Sequence, residues 1–307
     1  MKVKLIEPLN VSHELIKELS EPIKALGHEF VYYNEKTTDN DELIERSKDA
    51  DIIMIGNNPY PKEVIKEMDS LKLINVAFTG VDHVAVDDAK KKDIKICNAA
   101  GYSDQAVSEL AIGLTLDIYR KISDSSPLIG KEIKDKTVGI IGTGNIGIRT
   151  AELFSAFGAK LIAYSRTEKD EAKELGIKYV SLDELLSSSD IISVHLPLND
   201  NTRGFLNKEK LEKINDNAIL INCARGPIID NEALANLLNQ DKIAGAGIDV
   251  FDMEPPLPKD YPLLYAKNIV LTPHIAYFTE ESMIRRAKIA FDNTISFLKG
   301  DPKNIMK

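Results

Sequence analysis

A short apolar, β-branched run, Thr137-Val138-Gly139-Ile140-Ile141, leads directly into Gly142-Thr143-Gly144-Asn145-Ile146-Gly147, and a helical pattern continues from Ile148 to Phe157. Glycines spaced G-x-G-x-x-G between a strand and a helix leave few arrangements open. The first allows a tight turn, the second lets the backbone approach a diphosphate, and the third lets the helix pack close to the strand. Free N–H groups at the helix start, where Asn145 and Ile146 stand, then face negative charge. A glycine-rich βα turn that only packs is the plainer reading of such a trio. The flanking strand and helix favour a dinucleotide site built on Gly142, Gly144 and Gly147.

The rest of the chain has the rhythm that this turn requires. Before residue 100, apolar runs at Val3–Glu7, Phe30–Tyr33, Asp51–Ile55, Leu73–Phe78 and Ile94–Cys97 alternate with amphipathic ones at His13–Leu26, Asp41–Lys48, Pro61–Met68 and Val86–Lys92. After the glycine motif the same alternation resumes. Strands are expected at Lys160–Ser165, Lys178–Val180, Ile191–Leu196, Ala218–Cys223, Ala246–Val250 and Ile269–Thr272. Strands alternating with helices imply parallel sheets covered by helices, an α/β fold of doubly wound type. Ser103–Ile122 reads as one long helix between the two blocks, with Ser103 as N-cap, and Ser123–Lys136, with Pro127 and Gly130, as a surface connection. Asp252–Pro262 holds four prolines and is expected to be loop, and Glu280–Leu298 a closing helix. A length of 307 residues suits about two domains.

Composition narrows the function classes. With 39 basic and 48 acidic residues the net charge is −9, and no basic cluster stands out, so nucleic acid is not an expected partner. No apolar run is long enough to cross a membrane, and charge interrupts the N-terminus too early for a signal peptide, which points to the cytoplasm. Cys97 and Cys223 are the only cysteines. They form no C-x-x-C pair, so neither a disulfide framework nor a cysteine metal site is expected, and both read as small buried apolar residues.

Ligands of open α/β sheets bind at the carboxyl ends of the strands. The polar residues there are Asn57 and Asn58, Thr79-Gly80-Val81, Ser165-Arg166-Thr167, His195, Ala224-Arg225-Gly226, Asp249 with Glu254 soon after, and His274. An imidazole such as His274 exchanges a proton near neutral pH, as hydride transfer to a carbonyl requires, and a neighbouring Glu254 would orient it. A strand-end cap and a solvated acid are equally good readings from position alone. Arg225, ending an apolar strand, offers a fork suited to a carboxylate and an adjacent carbonyl, against the alternative of a surface ion pair. His195 and His83 are rival acids, and His13 and His28 are given no role.

These blocks resemble, over essentially the whole chain, the D-isomer-specific 2-hydroxyacid dehydrogenase family. The match runs through Thr137–Gly147, His195-Leu196-Pro197-Leu198 with Asn201-Thr202, Ala218–Asp230, Ala244–Pro255 and Thr272-Pro273-His274. The resemblance implies two Rossmann-like domains with a cleft between them. Residues 1–100 with 280–307 would form the substrate-binding domain, and 101–279 the dinucleotide-binding domain. It implies Arg225 as carboxylate-and-carbonyl clamp, Glu254 as orienting acid and His274 as proton donor. His195, Pro197, Thr202, Cys223, Ala224 and Asp249 would then lie on the cofactor side, with Asp249 holding the nicotinamide end. Thr79, Gly80 and Val81 would take the substrate carboxylate on backbone N–H groups. Homodimers are usual in such relatives.

The chain departs from that family at two places. NAD-using members carry an acid at the end of the second strand of the nucleotide domain, where this chain has Ser165-Arg166-Thr167, so NADP(H) is expected over NAD(H). Arg166 stacked on adenine with NAD still bound is the alternative, with Glu168 or Asp170 replacing the acid. After His274 comes Ile275-Ala276-Tyr277-Phe278, more like the D-lactate and D-2-hydroxyisocaproate branch. Tyr277, with Asn57 and Tyr60, would line the pocket for an apolar or aromatic 2-keto acid. Reduction of a 2-keto acid to the (R)-2-hydroxy acid is therefore expected. Glyoxylate or hydroxypyruvate reduction is the alternative, and a non-catalytic, dinucleotide-sensing corepressor the alternative of a different class.

Overall fold

The computed structural model describes residues 1–123 and 129–306, so Pro127 of the expected surface connection lies outside the described residues. The first elements are β1 (Lys2–Leu5), α1 (His13–Ala25), β2 (Glu29–Tyr32), α2 (Asn40–Ser47), β3 (Ile52–Ile55), α3 (Lys62–Lys66), β4 (Leu73–Val76), α4 (Val86–Lys91) and β5 (Lys95–Asn98). Then come α5 (Asp104–Arg120), β6 (Thr137–Ile141), α6 (Asn145–Ala156), β7 (Lys160–Tyr164), α7 (Asp170–Glu174), β8 (Lys178–Tyr179), α8 (Leu182–Ser188), β9 (Ile191–Val194) and α9 (Lys208–Leu211). The chain ends with β10 (Ile219–Asn222), α10 (Asn231–Asn239), β11 (Gly245–Ile248), β12 (Ile269–Leu271) and α11 (Glu280–Leu298). Two compact units result, Met1–Ser103 with Phe278–Lys307, and Asp104–Tyr277.

In the first unit five strands pair in parallel in the order β2-β1-β3-β4-β5. Val3, Leu5, Ile52, Met54 and Leu73 form its core with Ile16 and Ile23 of α1 and Ala287, Ala290 and Phe291 of α11. In the second unit seven strands are parallel in the order β12-β11-β10-β9-β6-β7-β8. Strands such as β9 and β10 are buried along their whole length, which is why they read as unbroken apolar runs. Side chains accept backbone N–H groups at the starts of several helices: Ser12 at α1, Asp39 at α2, Ser181 at α8, Asp230 at α10 and Thr279 at α11.

Where the observed boundaries depart from the sequence expectation, side-chain chemistry is the reason. The strand expected over Ala246–Val250 stops at Ile248, because the carboxylate of Asp249 is captured by the turn after β12. Short 3₁₀ turns at Gly226–Ile228 and Pro262–Tyr265 each have a proline in the first two positions; the first follows the expected strand Ala218–Cys223 and the second begins at the last residue of the expected loop. Both cysteines are free and buried, and burial pushes the Cys97 thiol up to about 12. Among the described residues no helix is long and apolar enough to cross a membrane.

Candidate active site

The glycine turn joins β6 to α6 at the point where strand order reverses, since β6 has β7 on one side and β9 on the other. Such switch points form crevices at the carboxyl edge of a sheet. Gly142 adopts φ +97°, a left-handed conformation that strains other residues, and a Cβ there would lie 2.6 Å from the His195 carbonyl oxygen. A Cβ on Gly147 would meet the Gly142 oxygen at 2.0 Å. Gly144 differs: it precedes α6 as N-cap, and a Cβ on it would point into open space. A side chain there would therefore clash with nothing in the protein and only block the approach of a ligand. The turn fits a dinucleotide diphosphate by this test, with the N–H groups of Asn145, Ile146 and Gly147 at the start of a 12-residue helix.

After β7, Arg166 and Thr167 are exposed and Ser165 is half-buried, and no carboxylate stands at the strand end. Glu168, the alternative acid, is held by Lys173 at 2.7 Å. After β9, the Thr202 hydroxyl donates to the Pro197 carbonyl at 2.6 Å and accepts the Asn199 N–H at 2.8 Å, closing the loop beside the glycine turn. His195 exchanges a hydrogen bond with Ser193 Oγ at 2.8 Å through Nε2, and desolvation drives its pKa down to about 4. Its ring is therefore neutral at physiological pH, a poor proton donor but compatible with a hydrogen-bonding role.

The low pKa of His195 carries a stability consequence. Between about pH 6.5 and about pH 4 the unfolded chain binds a proton at this position that the native state does not. Stability therefore falls with acidification across that window, by at most about 3.5 kcal/mol at the usual ~1.4 kcal/mol per pKa unit. Urea midpoints at pH 7 and pH 4.5 check this: the drop should be smaller in His195→Asn than in wild type. An equal drop in both would show that other groups carry the acid sensitivity.

Arg225, Glu254 and His274 follow the neighbouring strands β10, β11 and β12, whose last paired residues Asn222, Ile248 and Leu271 lie side by side. Arg225 follows β10. Its turn is held by Asn222, whose side chain accepts the Ala224 N–H at 3.0 Å and donates to the Arg225 carbonyl at 3.1 Å. Gly226 is obligatory there, because a Cβ would fall 1.9 Å from the carbonyl carbon of Phe251. That close approach brings the Arg225 turn against the segment leading to Glu254. Asp252, two residues earlier than Glu254, is pinned by Asn231 Nδ2 at 2.9 Å and by the Tyr261 hydroxyl at 3.0 Å.

His274 follows β12 with φ 55°, an uncommon conformation for a residue with a Cβ. Its backbone N–H is tied to the Asp249 carbonyl at 2.8 Å, and its Nδ1 lies 2.9 Å from both carboxylate oxygens of Glu254. The Tyr277 ring stands edge-on to the imidazole, 5.3 Å between centroids. Asp249 is fully buried. One of its oxygens accepts the Thr272 hydroxyl at 2.6 Å and the Ile275 N–H at 2.9 Å, and the other accepts the Ala276 N–H at 2.9 Å. Burial raises its pKa and these hydrogen bonds oppose the rise. Asp249, expected on the cofactor side, is thus the buttress of the turn that presents His274. Neither that function nor the brace supplied by Asn222 is readable from spacing.

The residues of the first unit expected on the substrate side are more varied in placement. Thr79-Gly80-Val81 follows β4; the Thr79 carbonyl accepts Asn98 Nδ2 at 2.8 Å, and the Val81 carbonyl accepts the Val84 N–H at 3.0 Å. Asn57 is half-buried and accepts Lys36 Nζ at 3.1 Å. Tyr60 is fully buried, with its hydroxyl toward Ser47 and its backbone bonded to His83 and Ala85. Its ring is therefore part of the core of the first unit. His83 packs edge-on against Phe78.

Comparison with known proteins bears on this geometry. Residues 115–276 match the model of the D-isomer-specific 2-hydroxyacid dehydrogenase NAD-binding domain. The chain is 38% identical to a hydroxypyruvate reductase of Blautia hydrogenotrophica, over 92% of this chain and 93% of that one. It is 36% identical to a glyoxylate reductase of Thermofilum pendens, over 85% and 82%. A solved acyclic imino acid reductase in complex with NADPH and D-Arg superposes with a TM-score of 0.90 at 30% identity, over 100% of both chains. With the glycine turn and the Arg225, Glu254 and His274 cluster on consecutive strand ends, these similarities place the chain in the D-isomer-specific 2-hydroxyacid dehydrogenase family, a family of oxidoreductases.

Proposed function

We propose that the protein reduces a 2-keto acid to the (R)-2-hydroxy acid with NADPH as the favoured donor. The observation that carries this reading is the contact of His274 Nδ1 with both oxygens of Glu254, beside the Arg225 turn on the adjoining strand ends. Donation from Nδ1–H to the carboxylate fixes the tautomer and leaves Nε2 as the nitrogen that exchanges a proton. Bound reduced nicotinamide supplies a hydride to C2 of the keto acid. His274 gives its Nε2 proton to the carbonyl oxygen, and Glu254 holds the ring in line. Arg225 anchors the carboxylate and polarises the carbonyl with a planar fork. The NADP(H) preference is supported by the absence of an acid at the end of β7.

A second reading concerns the substrate. Burial of Tyr60 removes one of the aromatic groups expected against a bulky side chain, and the relatives named above act on hydroxypyruvate or glyoxylate. Small 2-keto acids therefore stand level with bulky ones, and Tyr277 remains the aromatic wall beside His274. Replacement of Arg166 tests the cofactor assignment. Arg166→Ala should raise KM for NADPH by at least about tenfold, the loss of a charge-assisted pair, while KM for NADH stays within about twofold. Equal effects on both dinucleotides would reject a 2′-phosphate contact.

A further inference from the structure

Tyr179 lies on the edge strand β8, paired through Ala163 with β7. Its hydroxyl joins two loops. It donates to Thr143 Oγ1 at 2.8 Å and accepts the backbone N–H of Lys169 at 2.9 Å. Thr143 is buried within the turn between Gly142 and Gly144, at the diphosphate side of the proposed cofactor site. Lys169 ends the largely exposed segment that carries Ser165, Arg166 and Thr167, and as N-cap of α7 it makes no side-chain capping bond of its own. A further tether of this segment, Glu168 to Lys173, is an exposed ion pair and holds it weakly.

We infer that Tyr179 is a positioning residue for cofactor choice: its hydroxyl fixes the Ser165–Lys169 segment relative to the glycine turn, in the geometry that receives a 2′-phosphate on the adenosine ribose. The inference rests on the NADP(H) reading above. A short surface segment that is already ordered loses less conformational freedom when Arg166 closes on an anion. A dinucleotide without the 2′-phosphate makes no demand on that orientation, so loss of the tether weakens one ligand class and spares the other.

Equilibrium binding of 2′,5′-ADP and 5′-AMP to wild type, Tyr179→Phe and Thr143→Val tests this. Phenylalanine and valine keep the shapes and remove one end of the relay each. Tyr179→Phe should weaken 2′,5′-ADP about fivefold, as loss of a neutral hydrogen bond does, and change 5′-AMP by less than about twofold. Thr143→Val should act in the same direction, and the double variant should be no worse than the stronger single one, because both remove one relay. Equal weakening of both nucleotides, or none, overturns the inference while wild type still prefers 2′,5′-ADP. A wild type without that preference overturns the NADP(H) reading and the inference with it.

Discussion

Replacement of His274 by alanine is expected to lower kcat by at least about 100-fold, the scale of losing a positioned general acid. The expectation follows from three observations. His274 has a carboxylate on its ring, whereas His195 is held neutral by desolvation and bonded to Ser193. The turn that carries it is fixed by buried groups, so the imidazole does not search for its position. Its contact with Glu254 defines which nitrogen faces away. Alanine at φ 55° introduces backbone strain of its own, so His274→Asn is the cleaner variant, because asparagine tolerates that conformation. Both variants should lose activity alike, and the asparagine variant should keep the wild-type melting temperature. Normal turnover in folded His274→Asn would remove His274 from the proton-transfer step. Glu254 is a different matter: its side chain is 70% exposed against 13% for His274, so its replacement should cost activity through misorientation with little change in stability.

The second large effect is expected at Asp249. Asp249→Ala removes the acceptor for a hydroxyl and two backbone N–H groups at once, at a fully buried position. Stranded buried donors cost about 1–3 kcal/mol each, and partial relaxation makes a total of about 3 kcal/mol a reasonable expectation. The same change frees the turn after β12, so kcat should fall even where the protein remains folded. Asp249→Asn keeps one acceptor oxygen and opposes the remaining N–H with an amide, and should lie between alanine and wild type. Urea midpoints at pH 7 and kcat on the folded fraction measure the two effects separately. A stable Asp249→Ala with normal kcat would show that Asp249 does not hold His274. Loss of stability with normal kcat would confine Asp249 to the fold.

Much of this is legible in the amino-acid sequence because the signals are local. The glycine spacing dictates a turn whose steric demands, a left-handed residue at Gly142 and a missing Cβ at Gly147, appear as expected. Apolar runs bounded by amphipathic ones set the alternation of strand and helix, and the carboxyl ends of the strands then gather Arg225, Glu254 and His274. What escapes are interactions between residues distant in sequence. Nothing in the neighbourhood of Asp249 indicates that its carboxylate closes a turn 26 residues later. The bracing of Arg225 by Asn222 depends on a bend that the strand pattern conceals, and Tyr179 reads as an ordinary edge-strand aromatic until its hydroxyl is seen between two loops. Tyr60 shows the opposite failure. An aromatic just beyond a strand end suggests a pocket wall, yet backbone pairing with His83 and Ala85 draws its ring into the core.

The most direct measurement is the initial rate of NADPH and NADH oxidation by wild type and His274→Asn, with pyruvate, 2-ketoisocaproate, phenylpyruvate, glyoxylate and hydroxypyruvate as acceptors. The proposed function predicts turnover of at least one 2-keto acid by wild type, faster with NADPH, and near-complete loss in His274→Asn. Tight dinucleotide binding without oxidation by any of these acceptors would contradict it and favour a sensing protein built on the same fold.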